Sequence, residues 1–251
     1  MAHVLGVDIG GSGVKAAPVD TTTGEMIAER QKFDTPQPST PEAVTEVVQK
    51  LVTAFSWTGP AGITFPGVVV GGVIQTAANL DHSWIGADAA KAFGTASKLP
   101  VTVLNDADAA GIAEVTFGAG KGIRGTVLLL TLGTGIGSAL FTDGKLVPNT
   151  EFGHLQIRGK DAEKRASEHA REEHGLSWGV WADRVDEYLT HMEALLSPDL
   201  IIIGGGVSKK SDKFLPLITG LRAKIVPAKM LNDAGIIGAA MAVERASSRP
   251  S

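Results

Sequence analysis

Apolar and polar positions along this chain alternate between two textures. Residues 3–9 form an apolar run with β-branched members, a glycine cluster interrupts it, and Val14 to Val19 resumes the run. That pattern predicts a strand, a turn and a second strand. It returns at Thr126 to Leu132, across Gly133-Thr134-Gly135-Ile136-Gly137, and through Ser138 to Phe141, with an Asp143-Gly144 turn behind it. Two related halves are therefore expected.

Between the hairpins the period changes. Pro41 to Phe55 has helical spacing with proline at its start, Ile63 to Val70 reads as a strand, and Val101 to Leu104 as a short buried strand. A helix is expected from Asp106 to about Phe117. Ser177 is placed to cap another, whose Trp178, Trp181, Val185, Leu189, Met192 and Leu196 recur three or four residues apart. Leu200 to Ile203 is a strand running into Gly204-Gly205-Gly206. Ala234 to Ala246 reads as a last helix, and Arg249-Pro250-Ser251 as a frayed tail. Strands alternating with helices imply an α/β protein of two lobes with a central cleft. Residues 1–120 are expected to form a small lobe onto which a C-terminal helix over 236–251 packs back, and residues 121–235 a large lobe.

Composition narrows the function. With 251 residues and 43% apolar content the chain can bury a full core. A net charge of -4 gives neither nucleic acid nor an anionic membrane a reason to bind. With no cationic leader and no apolar run near ~20 residues, the expectation is a cytoplasmic protein. The chain has no cysteine, which excludes disulfides, thiolate nucleophiles and cysteine-based zinc sites.

Chemistry gathers at three places. Asp8-Ile9-Gly10-Gly11-Ser12-Gly13-Val14-Lys15 sets glycines between two strands, where backbone N–H groups can approach phosphate oxygens; tight turns also use glycine when nothing binds. The second cluster at 133–137 favours phosphate, since two such turns can grip one polyphosphate chain. Asp8 is a candidate for Mg²⁺ held through water, or for a turn-capping role. Gly118-Ala119-Gly120-Lys121-Gly122 lacks the Gly-Lys-Ser/Thr ending of a P-loop and reads as an interlobe turn. At Leu104-Asn105-Asp106-Ala107-Asp108 a strand gives way to a helix, the place where α/β sheets present ligand contacts. Asp106 is assigned as general base toward a sugar hydroxyl, with helix capping as the alternative; for Asp108 capping is the reading. Glu151, His154 and Glu163 suit hydroxyl recognition. His169 and His174, five apart, do not share a helical face and make no zinc pair. The four tryptophans read as packing groups.

Seven ordered blocks resemble the ROK family of sugar kinases across nearly the entire chain. They are Asp8 to Lys15, Thr64-Phe65-Pro66-Gly67, Asn105 to Ala110, Thr131-Leu132-Gly133-Thr134-Gly135, Glu151-Phe152-Gly153-His154, Gly204-Gly205-Gly206-Val207-Ser208 and Ala234 to Ala240. Asn79 to Trp84, Leu176-Ser177-Trp178 with Trp181 and Arg184, and Ser208 to Pro216 look like the branch that uses inorganic polyphosphate. The resemblance implies a two-lobed, actin-like/ribonuclease H-like kinase fold with Asp106 as the base. Gly67, Asn79, Asn105, Glu151, His154 and Glu163 would surround glucose, with mannose as a second acceptor. Gly10, Gly11, Ser12, Gly13, Lys15, Thr131, Gly133, Thr134 and Gly135 would hold the donor's phosphates. Gly204, Gly205, Gly206 and Lys209 would lie on the donor side. It also implies Mg²⁺, a homodimer, and, because the family's zinc-binding cysteines are missing, no zinc. Asp161 to Ser167 resembles the family's stretch that ends in a sugar-binding Glu, here Glu163. Phe152 and Gln156 depart from the branch pattern and bear on sugar preference.

The donor expected is inorganic polyphosphate, with ATP also accepted. Between Ile201 and Met230 six basic residues, Lys209, Lys210, Lys213, Arg222, Lys224 and Lys229, face one acid, Asp212. Such a strip attracts a long polyanion, or is a solvated face. The alternatives are an ATP-only hexokinase of the family and a sugar-responsive regulator. Such regulators carry a DNA-binding module ahead of the first hairpin, which here starts at residue 4. An actin-like filament or an acyl-phosphate kinase would leave Glu151, His154 and Glu163 unexplained.

Overall fold

A computed structural model describes residues 3–247, in two compact units. Unit 1 comprises residues up to 113 together with those from 233 on, and unit 2 spans 114–232. The division thus falls inside a helix rather than at 120/121, because Glu114, in the last turn of that helix, bonds into unit 2. Its carboxylate accepts from the Ala119, Lys229 and Met230 amides at 2.6–2.8 Å. Gly118 to Gly122, expected between lobes, accordingly lies within unit 2.

Unit 1 opens with β1 (His3–Ile9) and β2 (Val14–Asp20), paired antiparallel from His3↔Asp20 to Ile9↔Val14. Two short strands, β3 (Glu25–Met26) and β4 (Gln31–Phe33), extend β2. Helix α1 (Pro41–Ala54) starts at Thr40, whose side chain accepts from Ala43 N, and buries Val44, Val47, Val48, Leu51 and Val52. Strand β5 (Ala61–Phe65) lies parallel to β1. The strand expected over 63–70 breaks here. Pro66 has no N–H to offer a ladder, and the chain resumes as a hairpin of β6 (Val69–Val70) and β7 (Val73–Ile74) turned by Gly71 and Gly72, both with positive φ. Helix α2 (Ala89–Ser97) leads to β8 (Val101–Asn105), an edge strand only partly buried. Helix α3 (Asp106–Thr116) follows without a gap.

Unit 2 repeats the plan. β9 (Thr126–Leu132) and β10 (Ile136–Thr142) pair antiparallel, and β11 (Lys145–Val147) adds to β10 across the turn at Asp143 and Gly144, where both φ are positive. A small hairpin, β12 (Gln156–Ile157) with β13 (Lys160–Asp161), precedes α4 (Glu163–Ala166) and α5 (Glu168–Glu173). Helix α6 (Trp178–Leu196) is capped by Ser177, and its spaced apolar face is buried at Trp181, Val185, Tyr188, Leu189 and Met192. β14 (Leu200–Gly204) and β15 (Lys224–Pro227) complete the sheet in parallel with β9. The two sheet orders, β3-β2-β1-β5-β8 and β11-β10-β9-β14-β15, correspond strand for strand. The duplication expected from the two glycine hairpins is therefore a duplication of whole sheets.

Chain order returns to unit 1 with α7 (Ala234–Ser247), which lies on β1 and β5; the tail expected to fray, 249–251, lies outside the described residues. Trp84 and Trp181 are fully buried, and their indole N–H groups donate to Ser39 O and Ser167 O.

Candidate active site

In unit 1 the candidate residues collect at one edge, the carboxyl ends of the parallel strands β1, β5 and β8. Open α/β sheets bind ligands at that edge. The β1–β2 turn is closed by Gly10 N donating to Gly13 O at 3.0 Å, which leaves Gly11 and Ser12 exposed at its tip. A Cβ on Gly11 would lie 3.5 Å from Asn79 O, so the exposed Asn79 stands beside this turn. Asp8 sits below. One carboxylate oxygen accepts from Thr64 Oγ1 at 2.9 Å and the other lies 3.8 Å from Lys15 Nζ. That second oxygen, free of a hydrogen bond to Thr64, fits a water-mediated Mg²⁺, which takes few carboxylates directly. Lys15 serves both as a cation at the turn and as partner to Asp8.

Asp106 begins α3 and is half-buried, with its carboxylate accepting from Ala107 N at 2.8 Å. The cap of this helix is not Asp108, as expected, but Asn105: its Oδ1 accepts from Asp108 N at 3.0 Å, while Asp108 is buried. Asn105 Nδ2 donates to Gly67 O at 3.1 Å. Asn105 thereby ties the Pro66-Gly67 bend to the start of α3, and one amide proton remains for a ligand. Gly67 must be glycine because a Cβ there would collide with Thr76 O.

In unit 2 the β9–β10 turn closes through Gly133 N to Gly135 O at 3.0 Å, and Gly133 O accepts from His169 N at the start of α5. Thr131 pairs in register with Gly204, which brings the end of β14 to this turn; Gly205 has φ +83°, and Gly206 opens a 3₁₀ turn that exposes Lys209. A Cβ on Gly135 would lie 2.5 Å from Glu163 Oε2, and that oxygen accepts from Ile136 N at 3.4 Å. Glycine thus lets the Glu163 carboxylate lie against this turn.

His154 is the hub of an acidic cluster. Its Nε2 is 3.9 Å from Glu151, and its Nδ1 is 3.7 Å from Asp161 and 3.9 Å from Glu163. Burial holds the Glu151 carboxyl above the ordinary carboxylate range and the charge of Glu163 adds to this, while His154 pulls the other way. Asp161 is lowered on balance, by Lys164 and Gln156 bonds that outweigh desolvation. Sequence reasoning placed Asp161 only in a matching stretch and gave it no role; its position two residues before Glu163 on a tight hairpin is the signal that was available. Among the described residues His154, Asp161 and Glu163 also offer three ligand atoms within 4.8 Å of one another, a set that suits a cation as well as sugar hydroxyls. A cavity of about 580 Å³ opens beside them, lined by Thr134, Asp161, Glu163, Lys164, His169 and His174.

The basic residues between 201 and 230 do not form one free strip. Arg222 donates to Pro198 O at 3.0 Å, Lys210 lies 3.8 Å from Glu168, and Lys210 and Lys213 both approach the Trp178 ring, over which Arg171 sits at 4.2 Å.

Twin sheets, each led by a glycine hairpin, with an aspartate opening the helix after the last parallel strand of unit 1, define an α/β kinase of the actin-like/ribonuclease H-like class. Residues 4–175 match the ROK family, and the chain belongs to it. It is 51% identical over 241 residues to a polyphosphate glucokinase of Mycobacterium tuberculosis, covering 96% of this chain and 91% of the relative. The crystal structure of an inorganic polyphosphate/ATP-glucomannokinase from Arthrobacter sp. strain KM matches with a TM-score of 0.93 and 49% identity, over 98% of this chain and 100% of that one. A ROK family glucokinase from Streptomyces griseus, in complex with glucose and AMPPNP, matches with a TM-score of 0.80 and 26% identity, over 95% and 98% of the two chains.

Proposed function

We propose that this chain transfers a phosphoryl group to the 6-hydroxyl of glucose, from inorganic polyphosphate and also from ATP, to give glucose 6-phosphate. The observation that carries the reaction type is Asp106, a carboxylate placed where a strand ends and a helix begins, at the same sheet edge as a glycine turn. The choice of polyphosphate is supported by likeness, at about half identity over nearly all of the chain, to two kinases named for that donor.

Asp106 accepts the proton of the sugar O6 as O6 bonds to the terminal phosphorus. The bridging P–O bond breaks, and the donor leaves one phosphate shorter, or as ADP. Gly67, Asn79, Asn105, Glu151, His154 and Glu163 are the residues assigned to read the sugar hydroxyls. The N–H groups of Gly10 to Gly13 and of Gly133 to Gly135, with Ser12, Lys15, Thr131 and Thr134, stabilise charge on the donor oxygens, the main task in phosphoryl transfer. Gly204 to Gly206 and Lys209 flank the donor. Asp8 would hold Mg²⁺ through water, and the ion would supply charge neutralisation on the donor phosphates. Mannose is a second acceptor, a homodimer the assembly, and the cytoplasm the compartment; no helix among the described residues is long and apolar enough to cross a membrane.

The test is a side-by-side assay of polyphosphate and ATP with glucose, on the wild type and on Asp106→Asn. Both donors should yield glucose 6-phosphate, and the variant should lose ~10² to 10⁴ in kcat with the glucose KM changed only a few-fold. Product from ATP alone would remove polyphosphate as a donor. A near-normal rate in the variant would remove Asp106 as the base.

A further inference from the structure

We infer that Glu187 is a positioning residue that sets the sugar-reading face of unit 2. The inference rests on the reading above, in which His154 and Glu163 contact the sugar. Both belong to a short, irregular stretch. His154 ends a 3₁₀ turn, Arg158 and Gly159 turn the β12–β13 hairpin at φ +52° and +75°, and Glu163 opens the four-residue α4. None of these elements is long enough to be rigid by itself.

Apolar anchors hold the stretch down at Ile157, Ala162 and Ala166, all buried. Such contacts are non-directional and fix depth better than orientation. Orientation comes from one carboxylate on α6. Glu187 Oε1 accepts from Arg158 Nε at 2.6 Å and Oε2 accepts from Arg165 Nη2 at 2.8 Å. Arg158 sits at the hairpin turn and Arg165 two residues beyond Glu163, so the two bonds strap both arms of the stretch to a single point. That point is firm: α6 has nineteen residues and keeps Trp181, Val185, Tyr188 and Leu189 at zero exposure around Glu187. Both bonds are charge-assisted and directional, and they hold the Glu187 carboxyl below the ordinary carboxylate range. Among the described residues the Glu187 carboxylate bonds Arg158 and Arg165 and no candidate substrate group, so its effect reaches the sugar only through the strapped residues.

The strap holds the sugar-reading residues directly and reaches the donor turn only through Glu163, so the glucose KM should shift more than the donor KM values. Glu187→Gln, which leaves one good acceptor, should raise the glucose KM about tenfold, with kcat and the polyphosphate and ATP KM values within about threefold. Arg158→Gln and Arg165→Gln should each raise the glucose KM by less. Combined with Glu187→Gln they should add little, since each pair shares one strap. Glu187→Asp, which keeps the charge, should recover part of the loss. A glucose KM unchanged in Glu187→Gln, measured below its unfolding temperature, overturns the inference, as does an equal shift in donor and sugar KM. If Glu187→Gln does not fold, the two arginine variants decide by the same criterion. Failure here, in an enzyme whose wild type makes glucose 6-phosphate and whose Asp106→Asn variant does not, leaves the proposed function standing.

Discussion

The proposed role asks Glu151 to do two things that oppose each other. Reading a sugar hydroxyl favours an ionised acceptor, yet burial, reinforced by the charge of Glu163, holds this carboxyl above its ordinary value of 4.5 in spite of His154. A native value above the unfolded one means that the folded chain binds the proton more tightly. The contribution of this group to stability is then largest at low pH and declines as pH rises from the ordinary carboxylate value through the raised native one. At neutral pH this raised native value makes Glu151 a cost to the fold. Glu151→Gln is therefore expected to melt above the wild type at pH 7, and to lose that advantage as the pH approaches 4.5. The same variant should raise the glucose KM by ~10-fold or more, the usual effect of removing a charged hydrogen-bonding partner. Melting curves across pH, alongside glucose kinetics, check both halves. A variant that melts below the wild type at neutral pH would show that burial is not what governs this carboxyl.

At the scale of elements, the seat of α7 against the sheet and α3 of unit 1 depends on side chains that are missing. A Cβ on Gly6 in β1 would meet Ile236 O, one on Gly62 in β5 would meet Ala239 O, and one on Gly238 in the helix would meet Ala109 O. Backbone lies against backbone at all three, and none can yield as the tip of a flexible side chain would. Gly62→Ala should accordingly cost ~1–3 kcal/mol or more, the range for overpacking a tight core. Chemical denaturation would measure it, and a neutral result would mean that α7 can lift without penalty. The sequence made the hairpin strands, α1, α3 and α6 legible because each carries enough residues for a period to repeat. It was silent about β12, β13, α4 and α5, which are too short to show one. It also misplaced two features that local chemistry decides. The continuous strand over 63–70 ignored Pro66, and the capping role went to Asp108 although Asn105 holds it. Asp161, Glu187 and Glu114 stayed out of view for a different reason: a carboxylate in a list of charges does not reveal which amide or guanidinium it meets.

For the whole molecule, charge poses the remaining question. A chain of net charge -4 is to bind a long polyanion, so attraction must come from local cations and not from the overall field. The structure narrows which cations these are. Arg222 is committed to Pro198 O and Lys210 lies near Glu168, whereas Lys209 is exposed at the 3₁₀ turn that follows Gly204 to Gly206. Exposed charges act through solvent and are screened over ~8 Å at physiological salt. The polyphosphate KM should therefore climb steeply with ionic strength, while the KM for uncharged glucose stays nearly flat. Lys209→Ala should raise the polyphosphate KM several-fold and make its salt dependence shallower, because one of the screened contacts is gone. ATP presents fewer charges and should respond less to both changes. Initial rates over a salt series, with each donor and both proteins, measure these slopes. Parallel slopes for wild type and variant would mean that Lys209 does not meet the chain, and a polyphosphate KM indifferent to salt would place donor affinity in the backbone N–H groups of the two glycine turns, which salt screens far less.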